Sequence, residues 1–255
     1  MRLAKQQMLF WKSKDDEDSN LKTFGSNNKN RPTASRNDND NHNEWMDFVE
    51  DYKRKTSAAP PAKVVLFVGS VRVGRMAERL KIYVAGQLQK RGHKVIIIDP
   101  EEEQNLLQVR KPVHFHGPDE TLPQWLAALH EHVVAADAYV VLCPEYNRCI
   151  SPTLASAMDQ FPPDSYRHKP CGVVAYSVGN GAGLVAAAQL RSFLGQLGMI
   201  TLPFSSVNAK IQKSLSEDGT LLDEEFARGI NKMLGELEWY CTALRNHKDV
   251  CGLPS

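Results

Sequence analysis

Residues 64–75 read VVLFVGSVRVGR and carry more structural information than any other part of this chain. The apolar run at 64–68 has the composition of a buried strand, a Gly-Ser pair interrupts it, and a helical pattern follows. A strand that enters a helix through a glycine turn leaves backbone N–H groups and the positive end of the helix dipole free to bind phosphate. The Ser70 hydroxyl and the guanidinium of Arg72 or Arg75 add donors that suit such an anion.

The spacing of this turn and the composition of the chain argue against several classes of protein. The turn matches neither G-x-x-x-x-G-K-[ST] nor G-x-G-x-x-G, so we expect neither a nucleoside-triphosphate enzyme nor the standard dinucleotide turn. The chain has 255 residues and a net charge of +1, which gives no reason to expect a nucleic-acid partner. No apolar run approaches the roughly 18 residues of a membrane span. The five scattered cysteines, odd in number, are typical of a reduced, cytoplasmic protein.

The first 60 residues differ in composition from the rest of the chain. They are rich in asparagine and charged residues, and such a segment cannot bury enough apolar surface to offset its ordering entropy. We therefore predict a disordered, low-complexity tail over residues 1–60, within which the apolar residues of 44–55 could form a short helix. A globular domain is predicted at 62–247, followed by a C-terminal tail at 248–255.

From residue 63 onward, apolar runs alternate with helical patterns. Strands are predicted at 64–68, 95–98, 138–143, 172–177 and 199–202, and helices at about 73–90, 123–135, 152–160, 182–197 and 223–244. Near-continuous apolar strands separated by helices predict a five-stranded parallel sheet covered on both faces, which is an α/β three-layer sandwich. Ligands of such sheets bind at the carboxyl ends of the strands.

Two further loops follow strands of this predicted sheet. The second loop, residues 144–151, reads PEYNRCIS; its proline ends the strand, and Tyr146 and Asn147 could contact a flat heteroaromatic ring. The third loop, residues 177–183, reads SVGNGAG, and its glycines allow a flat surface or a phosphate to approach the backbone before a helix start that again suits an anion. Each loop read alone could also be an ordinary exposed turn. Together with the first loop, residues 69–75, they predict one binding site at one sheet edge.

No metal site and no catalytic acid or base is predicted. His114 and His116 have no third ligand at a useful spacing, and the G-x-S-x-G nucleophile elbow does not occur.

The ordered combination of the three loops resembles the NADPH-dependent FMN reductase family, which includes quinone and azo reductases of flavodoxin-like fold. The resemblance covers about residues 62–245. It rests on Gly69-Ser70-Val71-Arg72 with Gly74-Arg75, Pro144-Glu145-Tyr146-Asn147, Pro152-Thr153-Leu154 with Ala157 and Asp159, and Ser177-Val178-Gly179 with Gly181 and Gly183. The chain departs from the family at 154–159, which lack its Lys-Asn pair, and at Ala182, which interrupts a pair of glycines.

The resemblance implies a flavodoxin-like domain that binds FMN and uses NADPH or NADH as reductant. The cofactor-binding residues that it implies are Ser70, Arg72 and Arg75 at the phosphate, Pro144, Glu145, Tyr146 and Asn147 beside the isoalloxazine, and Ser177 and Gly179 on its other side. It also implies a homodimer or homotetramer and a small-molecule acceptor such as a quinone.

The leading hypothesis is an oxidoreductase that passes a hydride from NAD(P)H through bound flavin to a quinone, azo or flavin acceptor. The cofactor carries this chemistry, so no side chain is assigned as catalytic. One alternative is a flavin-binding regulatory or scaffold module with little turnover. Another is a one-electron carrier, against which the near-neutral charge argues because such carriers usually display an acidic docking face.

Overall fold

The computed structural model describes residues 60–254. The short helix predicted at 44–55 lies outside the described residues, and so does the tail predicted over 1–60, except for its last residue. The domain limits at 62–247 and 248–255 stay predictions.

The described chain contains six strands and five α-helices that largely alternate. The strands are β1 (Lys63–Val68), β2 (Lys94–Ile98), β3 (Ala138–Pro144), β4 (Pro170–Tyr176), β5 (Ile200–Thr201) and β6 (Ser206–Asn208). The helices are α1 (Ala77–Lys90), α2 (Gln124–Val134), α3 (Pro152–Met158), α4 (Leu184–Gln196) and α5 (Glu224–Cys251).

All strand pairs are parallel, and the sheet has the order β2-β1-β3-β4-β5, with β6 also paired to β4. This is the flavodoxin-like order, in which the direction of winding reverses between β1 and β3 and leaves a ligand crevice at their carboxyl ends. The predicted fold class is therefore confirmed, with β6 as a short sixth strand that the sequence did not predict.

The sheet is buried because helices cover both of its faces. One core lies between the sheet and α1 with α5 and includes Leu66 and Leu142; the other lies against α2, α3 and α4 and includes Phe67 and Tyr139. The alternation of Leu66 and Phe67 between the two cores follows from the two-residue repeat of a strand. The result is the predicted three-layer sandwich.

Two helices begin later than predicted because residues just before them have positive φ. α1 begins at Ala77 and not at residue 73, since Gly74 has a φ of 69°. α4 begins at Leu184 and not at 182, since Ala182 and Gly183 have φ values of 58° and 83°. Left-handed residues interrupt a right-handed helix, so helical spacing of apolar residues cannot locate these starts.

The last helix is longer than predicted. α5 continues through Cys251, whereas its apolar periodicity suggested an end at 244, and Gly252, which has a φ of 74°, caps it. The extension enters the predicted C-terminal tail. Its residues 245–250 are mostly polar, so no amphipathic signal marked them as helical.

Among residues 60–254, no helix has the length and apolar character needed to cross a membrane. The same range holds no group of three or more His, Cys, Asp or Glu side chains that could bind a metal ion.

Candidate functional site

The three loops border one cavity of about 430 Å³ at the carboxyl ends of β1, β3 and β4. Eight of the nine predicted site residues line it: Ser70, Arg72, Arg75, Pro144, Glu145, Tyr146, Ser177 and Gly179. Asn147 is not among the lining residues. Val73 and Val178, from the first and third loops, also line the cavity and are largely exposed.

The first loop leaves backbone donors free. The N–H groups of Val71, Val73, Gly74 and Met76 have no hydrogen-bond partner within residues 60–254. A Cβ at Gly74 would meet open space, so glycine is required there by the positive φ and not by a lack of room. Free N–H groups clustered directly before α1 are typical of an anion-binding site.

Ser70, Arg72 and Tyr146 connect the first loop to the second. Ser70 is buried, and its Oγ lies 2.7 Å from Oη of Tyr146. The guanidinium carbon of Arg72 lies 3.6 Å from the centroid of the Tyr146 ring, which is a cation–π contact. Arg72 is exposed and has no carboxylate partner in the described part of the chain, so its charge remains available to an anion.

Arg75 is held by protein groups on four of its five N–H donors. Nη1 donates to the carbonyl of Ser70 and to Oδ1 of Asp99, both at 2.6 Å. Nη2 donates to Oδ2 of Asp99 at 2.6 Å and to Oε2 of Glu78 at 2.8 Å. Arg75 therefore fixes the conformation of the first loop. The sequence instead suggested that the guanidinium of Arg75 could bind a phosphate directly.

Asp99, the residue directly after β2, is the centre of this ion cluster. Its side chain is 0% exposed and also accepts from Nζ of Lys81 at 3.0 Å. Burial alone would raise the pKa of Asp99, but the hydrogen bonds from Arg75 and Lys81 outweigh it and lower that pKa below its ordinary value. For Arg75 and Lys81, burial opposes the charge, and the hydrogen bonds to Asp99 and other carboxylates nevertheless raise both pKa values.

Glu145 caps α4 with its side chain. Oε2 accepts from the N–H of Val185 at 2.9 Å and of Ala186 at 3.2 Å, while the Glu145 N–H donates to the carbonyl of Tyr176 at 2.9 Å. The carboxylate occupies the helix N terminus that the third loop was expected to offer to an anion, so that expectation is wrong. Glu145 can still border a ligand through its backbone.

The second loop is a tight hairpin fixed to α4. Tyr146 and Cys149 exchange backbone hydrogen bonds of 3.2 and 3.0 Å, and the two residues between them, Asn147 and Arg148, have φ values of 54° and 62°. The Gln189 side chain of α4 donates to the carbonyl of Arg148 at 3.1 Å and accepts from the N–H of Ile150 at 3.1 Å. The turn is exposed at Asn147, which explains why that residue does not line the cavity.

The third loop is fixed by β6. The Ser177 N–H donates to the carbonyl of Asn208 at 3.0 Å, and the Asn208 N–H donates to the carbonyl of Ala182 at 2.8 Å. A Cβ at Gly183 would lie 2.5 Å from the backbone nitrogen of Tyr176, so only glycine fits there. The short strand that the sequence did not predict therefore helps to shape one wall of the cavity.

Tyr176 is a cavity residue that sequence reasoning missed. It is the last residue of β4, it lines the cavity, and its hydroxyl is buried without a hydrogen-bond partner among the described residues. The only signal in the sequence is an aromatic residue at a strand end directly before the glycine-rich third loop.

Residues 62–213 match the model of the NADPH-dependent FMN reductase family. Among curated proteins, the chain is 27% identical over 175 residues to an FMN-dependent NADPH-azoreductase of Staphylococcus saprophyticus, which covers 64% of this chain and 87% of that protein. It is 29% identical over 132 residues to a probable NADPH:quinone oxidoreductase 2 of Oryza sativa subsp. japonica, covering 50% of this chain and 64% of that protein.

Solved structures show the same fold. FerB, a flavoenzyme NAD(P)H:(acceptor) oxidoreductase from Paracoccus denitrificans, is similar with a TM-score of 0.55 and 22% identity, over 73% of this chain and 98% of that one. An oxidoreductase from Corynebacterium diphtheriae is similar with a TM-score of 0.55 and 17% identity, over 72% of this chain and 98% of that one. At these identities the likeness concerns the fold.

Proposed function

This chain belongs to the NADPH-dependent FMN reductase family, and from that premise we propose that it passes a hydride from NAD(P)H, through bound FMN, to a quinone, azo or flavin acceptor. The observation that carries the proposal is the meeting of three loops around one cavity. On one side of it lie N–H donors without a partner and an arginine without a carboxylate partner, both counted within residues 60–254. The names of the azoreductase and quinone oxidoreductase relatives support the acceptor classes.

The residues present at the cavity fit FMN. A phosphate monoester needs several hydrogen-bond donors and positive charge, which the first-loop N–H groups, Ser70 and Arg72 supply. The cavity volume of about 430 Å³ falls in the range of small-molecule sites.

Each wall of the cavity has an assigned part in binding. Ser70 and Arg72 hold the phosphate, and Arg75 acts indirectly because it fixes the Ser70 carbonyl. The backbone of residues 144–146 borders the isoalloxazine on one side, and Ser177 with Gly179 closes the other side. Asn147 has no part in this assignment, since the hairpin places it outside the cavity.

When bound, FMN supplies the hydride chemistry of the reaction. The chain binds and orients the reactants. Oε2 of Glu145 accepts two helix N–H groups, and Arg75 is paired with Asp99, so both side chains make structural contacts and neither is assigned a proton-transfer role. The exposed apolar side chains of Val73 and Val178 suit a flat, apolar acceptor.

The proposal is tested with purified full-length protein reconstituted with FMN. We expect a yellow protein that NADPH bleaches under anaerobic conditions and that oxidises NADPH steadily when a quinone is added. Arg72→Gln should weaken FMN binding, whereas Arg110→Gln, at an exposed arginine whose Nε bonds to Gln108, should not. A protein that binds no FMN would refute the assignment of the site. FMN binding without turnover would instead support a regulatory or scaffold role.

We also propose that the chain forms a homodimer or homotetramer. The apolar side chains of Val178 and Leu184 are each 62% exposed beside the cavity, and burial between copies would remove them from water. Analytical ultracentrifugation measures the mass in solution, and a monomer at micromolar concentration would contradict the proposal.

A further inference from the structure

The hydroxyl of Tyr176 is buried at the edge of the cavity without a partner. Tyr176 is 4% exposed, and its Oη has no hydrogen-bond partner among the described residues. Burying a hydroxyl without a hydrogen bond costs free energy, and almost all buried polar groups in native proteins are paired. An exception that lines a ligand cavity indicates that the ligand supplies the missing partner.

The sheet places this hydroxyl on the phosphate side of the cavity. Val68 and Tyr176 face the core that α1 and α5 cover. Ser70, Tyr146 and Arg75 line the same cavity as Tyr176, and each influences the pKa of its hydroxyl, so they lie close to it. Ser70 in turn contacts the Tyr146 hydroxyl at 2.7 Å. Three hydroxyl groups, from the ends of neighbouring strands and their loops, therefore lie at the side of the cavity that the first loop borders.

The protonation of Tyr176 fixes what its partner can be. Burial raises the pKa of Tyr176 well above its ordinary value, and Tyr146 and Cys143 raise it further. Arg75 and the Ser70 hydroxyl, which is near but outside hydrogen-bond geometry, lower it too weakly to compensate. The phenol thus keeps its proton at any physiological pH. A buried, protonated hydroxyl next to free N–H donors and a cluster with arginine suits an acceptor that carries negative charge.

We propose that Tyr176 binds the cofactor phosphate, with its hydroxyl donating a hydrogen bond to a phosphate oxygen beside Ser70 and Arg72. This inference rests on the proposed function, because it adds a residue outside the matching motifs to the same site. Tyr176 is a binding residue that selects phosphorylated flavin over flavin without phosphate.

The test compares Tyr176→Phe with Tyr166→Phe in the full-length apoprotein. Tyr166 is a matched control, since it is a fully buried tyrosine in the other core whose hydroxyl donates to the carbonyl of Met158 at 2.8 Å. FMN and riboflavin are titrated separately by flavin fluorescence, because riboflavin lacks only the phosphate. Melting temperatures of the apoproteins are recorded beside the titrations.

Tyr176→Phe should weaken FMN binding about tenfold or more, the size expected for a hydrogen bond to a charged acceptor, and should leave riboflavin binding unchanged. It should not lower the melting temperature of the apoprotein, since the hydroxyl has no hydrogen-bond partner to lose within residues 60–254. Tyr166→Phe should show the reverse, with a melting temperature roughly 2–4 °C lower and both flavin affinities unchanged.

An equal loss of FMN and riboflavin affinity in Tyr176→Phe would overturn the proposal, because it would place the hydroxyl at the ring or the ribityl chain. Unchanged FMN affinity would also overturn it. If riboflavin binds too weakly to titrate, the melting temperatures are measured with and without inorganic phosphate at constant ionic strength. Phosphate should raise the melting temperature of the wild-type apoprotein more than that of Tyr176→Phe, and equal rises would overturn the proposal. A wild-type protein that binds no flavin, yet is stabilised by phosphate through Tyr176, would refute the proposed function alone.

Discussion

Replacement of the Asp99 carboxylate by an amide is expected to destabilise the fold strongly. Asp99→Asn keeps the shape of the side chain, but the carboxylates that then remain to Arg75 and Lys81 in the described chain are the partly exposed ones of Glu78 and Glu102. Breaking a buried ion pair from one side costs about 3–5 kcal/mol, and the remaining carboxylates place this variant near the lower end, at about 3 kcal/mol. For a domain of this size, the melting temperature should fall by roughly 6–12 °C.

Urea denaturation of the apoprotein measures the free energy of unfolding. Asp164→Asn is the matched control, because Asp164 is 84% exposed and its contact with Arg167 is long, at 3.4 Å. Such an exposed pair contributes at most about 0.5–1 kcal/mol, so the control should stay close to wild type. A loss below about 1 kcal/mol for Asp99→Asn would refute the view that Asp99 anchors the first loop through Arg75.

The pH dependence gives an independent check on Asp99. Since its pKa is lower in the folded state than its ordinary value of 3.8, the ionised carboxylate stabilises the fold above that value. This contribution is lost as the pH falls through the folded-state pKa. Wild type should therefore lose more stability than Asp99→Asn on acidification below about pH 4, and the difference between them should shrink.

Glu145→Gln should lower the free energy of unfolding by about 1 kcal/mol, because the amide keeps an acceptor at the α4 N terminus but loses the charge that favours the helix dipole. Glu131→Gln, at an exposed position on α2, is the control, and equal stability of the two variants would contradict the capping role. Ala182→Gly should raise the free energy of unfolding by about 0.5–1 kcal/mol, because a φ of 58° strains alanine and not glycine, and chemical denaturation that shows a decrease would contradict this. Arg72→Lys should weaken FMN binding about tenfold, because lysine lacks the planar guanidinium that can bind a phosphate through two N–H groups. An unchanged dissociation constant in a fluorescence titration would contradict a role of Arg72 in binding the phosphate.

The sheet and the position of the site could be predicted because they depend on local patterns. Long apolar runs such as 64–68 and 138–143 indicate buried strands regardless of what packs on them. Once the strands are parallel, their following loops share one edge, and this places Ser70, Tyr146 and Ser177 together without any knowledge of the helix angles.

The roles of individual side chains could not be predicted, because they depend on partners distant in sequence. Arg75 pairs with Asp99, and Glu145 caps a helix that begins 39 residues later; neither contact leaves a local pattern. Tyr176 was missed for a related reason, since its missing partner is visible only when the surrounding packing is known. β6 has only three residues and little apolar character, so strand periodicity cannot detect it.

The anchoring of the second loop has a consequence for how ligands are exchanged. Glu145 and Gln189 join the hairpin to α4 before any cofactor arrives, so binding does not have to order that wall and loses little conformational entropy there. Val73 of the first loop and Val178 of the third loop also line the cavity, and these exposed side chains support no part of the core. Changes of size or polarity at these two valines should therefore alter the cavity at little cost in stability.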